Sequence, residues 1–247
     1  MKTHLASLPA IALRVATYNL SGESGMTVNR AQSQLLREAQ VDVAGLQEIN
    51  WDNQRFSKQG YNTLAQFTDF SNQFFGATMP FMQGKFGNAI VSQLPFETMQ
   101  NQLFPQLWWQ KTRIEPRAFQ RVVFRKDDRQ VAFYNTHLSY ESESIRLKQM
   151  LALKKAVLAD SIPYKIITGD FNVDQNTTDW RIFHPEFNLV NGNHGVWHDT
   201  FRDEDPQMKV RSIDNIILSA NIIIDQVTTI DSPLSDHEPL LADLMLQ

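Results

Sequence analysis

Lys165-Ile166-Ile167-Thr168-Gly169-Asp170-Phe171-Asn172 is an apolar run that stops abruptly at a glycine and two polar side chains. Apolar residues running into Gly-Asp describe a buried strand entering a tight turn. A strand end is rigid, so a carboxylate at 170 and a carboxamide at 172 can both reach one ligand from it. The same letters also suit a loop in which Asp170 and Asn172 hydrogen-bond only their own backbone. Repetition favours the first reading, because short polar motifs close several other strand-like segments.

Upstream of that stretch, residues 15–20 have the β-branched and aromatic content of a strand and carry Asn19 near their end. A helix is expected over 27–39, with Ala31, Leu35, Leu36 and Ala39 as its buried stripe. The strand at 41–48 ends on Glu48. Residues 51–80 resist parsing, and 61–70 fits a short helix or an edge strand. Strand character resumes at 86–92, which contains Asn88, and Pro95-Phe96 turns into a further strand. A loop over 104–117 carries Trp108 and Trp109. Residues 118–124 and 131–137 read as a hairpin closed by Lys126-Asp127-Asp128-Arg129. The clearest helix spans 141–160, with Leu147, Met150, Leu151, Val157 and Leu158 towards one face, Ser139 or Ser142 as its cap, and Pro163 beyond its end.

Downstream, 177–183 suits a short helix and 184–206 a long loop, a length usual for binding segments. The last strands fall at 212–218, 222–230 and 240–246. No short repeat, low-complexity run or linker divides the chain, so residues 1–247 read as one domain. Strands in both halves, each followed by a long helix, describe two packed sheets flanked by helices.

Composition sets bounds on chemistry. The 247 residues are 42% hydrophobic and 20% charged, ordinary for a globular protein with a sizeable core. The chain has no cysteine, which excludes disulfides, zinc thiolates and thiol nucleophiles. A net charge of −4 gives no global attraction to phosphate backbones, so nucleic-acid binding would need a local patch. The best such patch is 111–129, with seven Lys/Arg against three acids, although a charged hairpin explains it equally well. The apolar run at 5–13 slightly resembles a secretion signal but lacks a small-residue cleavage site before the first strand. The expectation is a cytoplasmic monomer, with secretion left open. No stretch approaches the ~18 apolar residues of a membrane span.

The polar strand ends, in order, are Asn19, Glu48, Asn88, Asn135 with His137, Asp170 with Asn172, Asp214, and Asp236-His237. Carboxylate oxygens without sulfur suit a hard divalent ion, Mg²⁺ or Mn²⁺, with Glu48 and Asp236 as ligand candidates. Zinc fits less well, since there is no cysteine cluster and the His-x-x-x-His spacing, His194 to His198, falls in the long loop at 184–206 away from the other polar motifs. Asp214 or Asp236 could orient His237 and hold its charge, as in a catalytic His-Asp pair.

Tyr18-Asn19, Leu46-Gln47-Glu48, Gly87-Asn88, Asn135-Thr136-His137, Gly169-Asp170-Phe171-Asn172, Ile213-Asp214 and Ser235-Asp236-His237 resemble, in that order, the signature motifs of the endonuclease/exonuclease/phosphatase superfamily. The resemblance spans residues 17–239. It implies an α+β fold, a four-layer αββα sandwich with these residues at one edge, and metal-dependent hydrolysis of a phosphate ester. By matching motif, Glu48 is the main metal ligand with Asn19 and Asp236 nearby. Asp170 orients or deprotonates the attacking water, Asn172 holds the phosphate, and Asp214 pairs with His237, which contacts the phosphoryl oxygens. His137 is the second phosphate-side histidine or the leaving-group acid.

Arg117 stands where the family often has a basic residue facing the phosphate, and Asn88 is a further substrate-side position. Trp108 and Trp109 either stack on a substrate or cap the core; neighbours on an extended segment alternate, so at least one should face outward. The substrate is a phosphate ester of open class: nucleic acid, lipid head group or small phosphate compound. The chain lacks the cysteines of secreted pancreatic-type nucleases and the basic balance of many DNA-processing members. The rival reading is a catalytically silent binding module that keeps the fold.

Overall fold

Period-two alternation sorts each central strand into two faces, and the core divides accordingly into three layers. In the computed structural model, which describes residues 10–105, 108–109, 112–202 and 211–247, the first strand β1 (Ile11–Asn19) leads into helix α1 (Met26–Glu38). There follow β2 (Val43–Trp51), β3 (Asn72–Phe81), β4 (Gly84–Ser92) and β5 (Phe96–Leu103). A two-residue pair, β6 (Trp108–Trp109) and β7 (Thr112–Arg113), precedes the hairpin β8 (Ala118–Lys126) and β9 (Arg129–His137). Helix α2 (Glu143–Ala159) and β10 (Tyr164–Asp170) come next, then β11 (Phe187–Leu189), β12 (Asp214–Ser219), β13 (Ile222–Thr229) and β14 (Leu240–Leu246).

Two six-stranded sheets result, in the orders β13-β14-β1-β2-β4-β3 and β11-β12-β10-β9-β8-β5. Leu13 and Val15 of β1, Val131 and Phe133 of β9, and Ile166 of β10 meet between the sheets. The intervening residues point outward. Ala16 and Tyr18 pack with Leu36 of α1, while Ala132, Tyr134 and Ile167 pack with Met150, Leu153 and Val157 of α2. The order α1, sheet, sheet, α2 is the four-layer sandwich that the motifs imply. No described helix is long and apolar enough to cross a membrane.

The inter-sheet layer turns polar towards one end, and there the two sheets are joined by side chains. Asn135 Nδ2 donates to the Leu46 and Ala89 carbonyls at 2.9 Å each, and its Oδ1 accepts from Gln47 Nε2 at 2.7 Å. Asn135 therefore bonds the sheets rather than reaching a ligand. Close approach requires Gly45, where an added Cβ would lie 2.1 Å from Thr168 Oγ1 and 2.5 Å from Asn135 Oδ1.

Several expectations need correction. The unparsed stretch 51–80 holds most of β3, whose mixed burial on both faces hides its period, and 61–70 contains a 3₁₀ turn, Leu64–Gln66, after an isolated bridge from Tyr61 to Asn53. The loop at 184–206 is shorter than expected, because Phe187–Leu189 pairs with β12. In α2 the buried face runs through Ile145, Gln149, Met150, Leu153 and Val157, whereas Leu151 and Leu158 are exposed. Ser142 occupies the helix N-cap, but its hydroxyl meets Ser144 Oγ and makes no capping bond to the backbone, and Ser139 bonds Glu141 instead.

Candidate active site

Register brings the candidate side chains to one level. Asp170 is aligned with His137 on parallel β9 and with Asp214 on antiparallel β12, while Asn19 is aligned with Gln47 on β2. Asp170, His137 and Asp214 share the parity of Ile166, Phe133 and Ile216, so all three enter the inter-sheet layer at its polar end. His237 arrives from the segment before β14, held by an isolated bridge to Phe201.

Glu48 reaches the same place by breaking the alternation. β2 loses register with β4 between Leu46 and Ile49, both of which pack on the α1 side, and Glu48 has a left-handed φ of +64°. A bulge of this kind re-aims a side chain that strict alternation would have sent towards α1.

Asn19 Nδ2 donates to Glu48 Oε1 at 3.2 Å and to Asp170 Oδ2 at 3.1 Å. The second Glu48 oxygen accepts the Gly22 N–H at 2.7 Å. Asp170 Oδ1 accepts the Asn172 N–H at 2.9 Å, with Asn172 in the left-handed region at φ +51°. The local backbone bond is thus present, yet it uses one oxygen and leaves the other facing the site. That second oxygen lies 3.4 Å from His137 Nε2 and 3.7 Å from His237 Nε2, and His237 Nδ1 lies 2.8 Å from Asp214 Oδ2. Asn19, Glu48, His137, Asp170, Asn172 and His237 line a cleft of about 670 Å³.

A model of the family described as endonuclease/exonuclease/phosphatase matches residues 16–237. The chain belongs to the endonuclease/exonuclease/phosphatase family. Enzymes of this family are hydrolases acting on phosphate esters. A family member from Bacteroides vulgatus has a similar structure, with TM-score 0.76 and 19% identity over 96% of this chain and 99% of that one. A mannosyl-6-phosphatase from Bacteroides thetaiotaomicron gives TM-score 0.66 and 18% identity over 94% and 99% of the two chains. D. rerio TDP2 in complex with a single-strand DNA product gives 0.73 and 16% over 94% and 98%. At such identities the likeness concerns the fold. Comparison with curated proteins finds no match.

In this endonuclease/exonuclease/phosphatase chain, eight of the side chains singled out by sequence line the cleft: Asn19, Glu48, Arg117, His137, Asp170, Asn172, Asp236 and His237. Asp214 sits behind His237. Asn88 is 2% exposed, is not among the lining residues, and has no partner for its Nδ2. The side chains of Trp108 and Trp109 lie outside the described residues. Sequence reading did not single out Glu23, Arg55, Met79, Phe81, Phe86, Glu115, Tyr140, Arg146, Phe201 and Ile213, which complete the walls. Arg146 had a signal, since it lies in the first turns of the helix that follows His137. Arg55 and Met79 had none, because they belong to the stretch 51–80 that resists parsing, and Phe81 closes the strand that begins inside it.

Electrostatics divides the two histidines. Burial opposes the charge of His237, but Asp214 outweighs it by Coulombic attraction and a hydrogen bond, and the pKa is pushed up to about 10. His137 has no such support: burial, Arg117 and His237 all hold it well below the usual histidine value. The site therefore holds an imidazolium and a neutral imidazole on either side of one carboxylate at neutral pH. Asp170 is itself raised to about 7, first by burial and second by the Asp214 charge, against the pull of His237, Asn19 and the Asn172 N–H.

Two groups of donors could take a cation. Asp170, Asp214 and His237 place ligand atoms within 4.8 Å of one another, but His237 Nδ1 and Asp214 Oδ2 are already joined at hydrogen-bonding distance. Glu48 and Asp236 offer carboxylate oxygens on the cleft wall, and each Glu48 oxygen carries a single hydrogen bond, whereas the Asn19 carboxamide turns its Nδ2 to Glu48 and its Oδ1 accepts the Ser21 N–H at 3.1 Å. An all-oxygen set with spare lone pairs fits Mg²⁺ or Mn²⁺.

Proposed function

We propose that this protein is a divalent-metal-dependent phosphohydrolase, specifically a phosphodiesterase, which cleaves its ester by in-line attack of an activated water. The observation that carries the reading is the state of Asp170: a buried carboxylate, raised to about 7 and placed between one charged and one neutral histidine. A base poised near the working pH combines correct protonation with driving force for proton transfer.

Water attacks phosphorus as Asp170 takes its proton, and the ester P–O bond on the opposite side breaks with its electron pair on the leaving oxygen, which departs as an anion and takes a proton from solvent. His237, kept cationic by Asp214, hydrogen-bonds the phosphoryl oxygens as their charge grows, which favours the transition state over the ground state. Asn172 and Arg117 hold the phosphate in line. His137 acts here as a neutral donor to the phosphate rather than as the leaving-group acid, because its low pKa leaves it no proton to spare at neutral pH. Glu48 and Asp236 would hold Mg²⁺ or Mn²⁺, which would neutralise phosphoryl charge, while Asn19, expected from the sequence as a ligand, instead orients Glu48 through its Nδ2. The intact acid, base and ligand types disfavour a silent binding module.

The test is hydrolysis of bis-p-nitrophenyl phosphate with Mg²⁺, Mn²⁺ or EDTA, for the wild type and Asp170→Asn. Turnover is expected only with metal, and the variant should lose at least ~10²-fold in kcat. Metal-independent turnover, or a fully active variant, would overturn the reading. The solved neighbours are named for a sugar phosphatase and for a complex with DNA, so the substrate class is to be separated with a panel of DNA, RNA, phospholipids and sugar phosphates.

A further inference from the structure

The shorter of the two hydrogen bonds to the Glu48 carboxylate comes from the loop after β1, through the Gly22 N–H at 2.7 Å. The carbonyl of the same glycine is gripped from the other side. It accepts from Asn50 Nδ2 at 2.8 Å and from Arg55 Nη1 at 2.5 Å. Both donors are themselves fixed to Asn53, whose Nδ2 donates to Asn50 Oδ1 at 2.8 Å and whose Oδ1 accepts the Arg55 backbone N–H at 3.2 Å. The Arg55 guanidinium is further held 4.8 Å over the Phe81 ring and 5.8 Å from that of Phe86. The clamp presses against residue 22, where a Cβ would lie 2.7 Å from Arg55 Nη1 and 2.9 Å from the Phe86 ring.

This clamp acts on a residue whose backbone needs support. Glu48 sits in a bulge at φ +64°, a conformation that costs energy for a side chain of this kind and persists where the surroundings enforce it. We infer that Arg55 is a positioning residue, which through Gly22 fixes the Glu48 carboxylate in the direction from which it takes the divalent cation. This rests on the metal-dependent reading above, and its test separates the two. Arg55 does not ligate the ion. It restrains the loop that restrains the ligand, an arrangement whose loss typically costs affinity without removing any donor from the metal.

The experiment is calorimetric titration of the full chain with Mn²⁺, with melting curves alongside, for wild type, Arg55→Ala, Arg55→Lys, Gly22→Ala and Glu48→Gln. Glu48→Gln should abolish binding, and Arg55→Ala should weaken it by about 10–100-fold with the fold retained. Arg55→Lys should lose less, since an ammonium can still donate to the Gly22 carbonyl. Gly22→Ala should imitate Arg55→Ala by pushing the clamp away. Mn²⁺ affinity of Arg55→Ala within about twofold of wild type would overturn the positioning role, because a residue that orients a metal ligand is expected to matter more than that. Should Arg55→Ala fail to fold, Gly22→Ala and Arg55→Lys decide by the same measure. If wild type binds no Mn²⁺, or Glu48→Gln binds it equally well, the metal-dependent reading itself fails.

Discussion

His237 holds its Nδ1 2.8 Å from Asp214 Oδ2, with both side chains sealed from solvent at 4% and 1% exposure. Asp214 Oδ1 has no partner of its own, so the carboxylate is committed to the imidazole. Asp214→Asn removes the charge while keeping the shape. It is expected to lower kcat by about 10²-fold, the scale for losing one preorganised donor to a developing oxyanion, with a smaller change in KM. A loss confined to KM would mean that His237 binds substrate without favouring the transition state.

The same pair makes stability depend on pH. With its pKa pushed up to about 10, native His237 keeps a proton that the unfolded chain, at 6.5, releases. Stability of the metal-free protein should therefore fall as pH rises from 6.5 towards 10, by up to ~1.4 kcal/mol per unit. Asp170, about 7 in the native state against 3.8, acts in the same direction between those values. Urea midpoints at pH 7 to 9.5 in EDTA should decline, with a shallower slope in Asp214→Asn. A midpoint constant over this interval would show that His237 is not the cation assigned here.

The division between the histidines is open to direct observation. Imidazole nitrogen shifts should report His237 as doubly protonated from pH 6 to pH 9 and His137 as neutral throughout. Equal titration of both near the ordinary histidine value would remove the asymmetry on which the proposed roles depend.

Glu48→Gln keeps the side-chain length and removes the charge. Activity at millimolar Mg²⁺ is expected to fall by at least about 10²-fold, as for loss of a metal's charge stabilisation, while the melting temperature changes little. Chelation of the wild type should reproduce the loss, and re-addition of metal should reverse it only in the wild type.

Asn135, although it is a polar residue near a strand end, bonds both sheets from a fully buried position. Asn135→Ala takes the side-chain donor from the Leu46 and Ala89 carbonyls and one acceptor from Gln47 Nε2, which keeps Thr17 Oγ1 at 3.1 Å, and should cost about 2 kcal/mol or more, since each orphaned buried group costs about 1–3. Denaturation midpoints check the stability loss. Once folded, the variant should retain metal affinity, which would separate it from Glu48→Gln.

The strands that carry the site were legible because their chemistry is local. An apolar run ending in a glycine and polar side chains marks where β10 stops, whereas the face that Asp170 shares with Ile166 is fixed by the packing of that strand between the sheets. The same reasoning located β1, β9 and β12, the hairpin β8-β9 and both helices, and it brought Asn19, His137, Asp214 and His237 forward as candidates. It failed where local signals conflict with packing. β3 is an edge strand with half-buried residues on both faces, so no period shows, and the exposure of Leu151 and Leu158 depends on where α2 lies over its sheet.

Three features were decided by tertiary structure alone. The aim of Glu48 depends on a break in register between β2 and β4, which exists only once the strands pair. The opposite charge states of His137 and His237 depend on burial and on which carboxylate or cation lies within a few ångströms, and those neighbours are distant in sequence. The clamp on Gly22 joins a loop after β1 to residues of and beyond β2, through contacts that no spacing encodes. Residue type and period carry the identity of the chemical groups and the face each occupies. Register, bulge and local dielectric set their direction and charge, because these are properties of chain segments brought together.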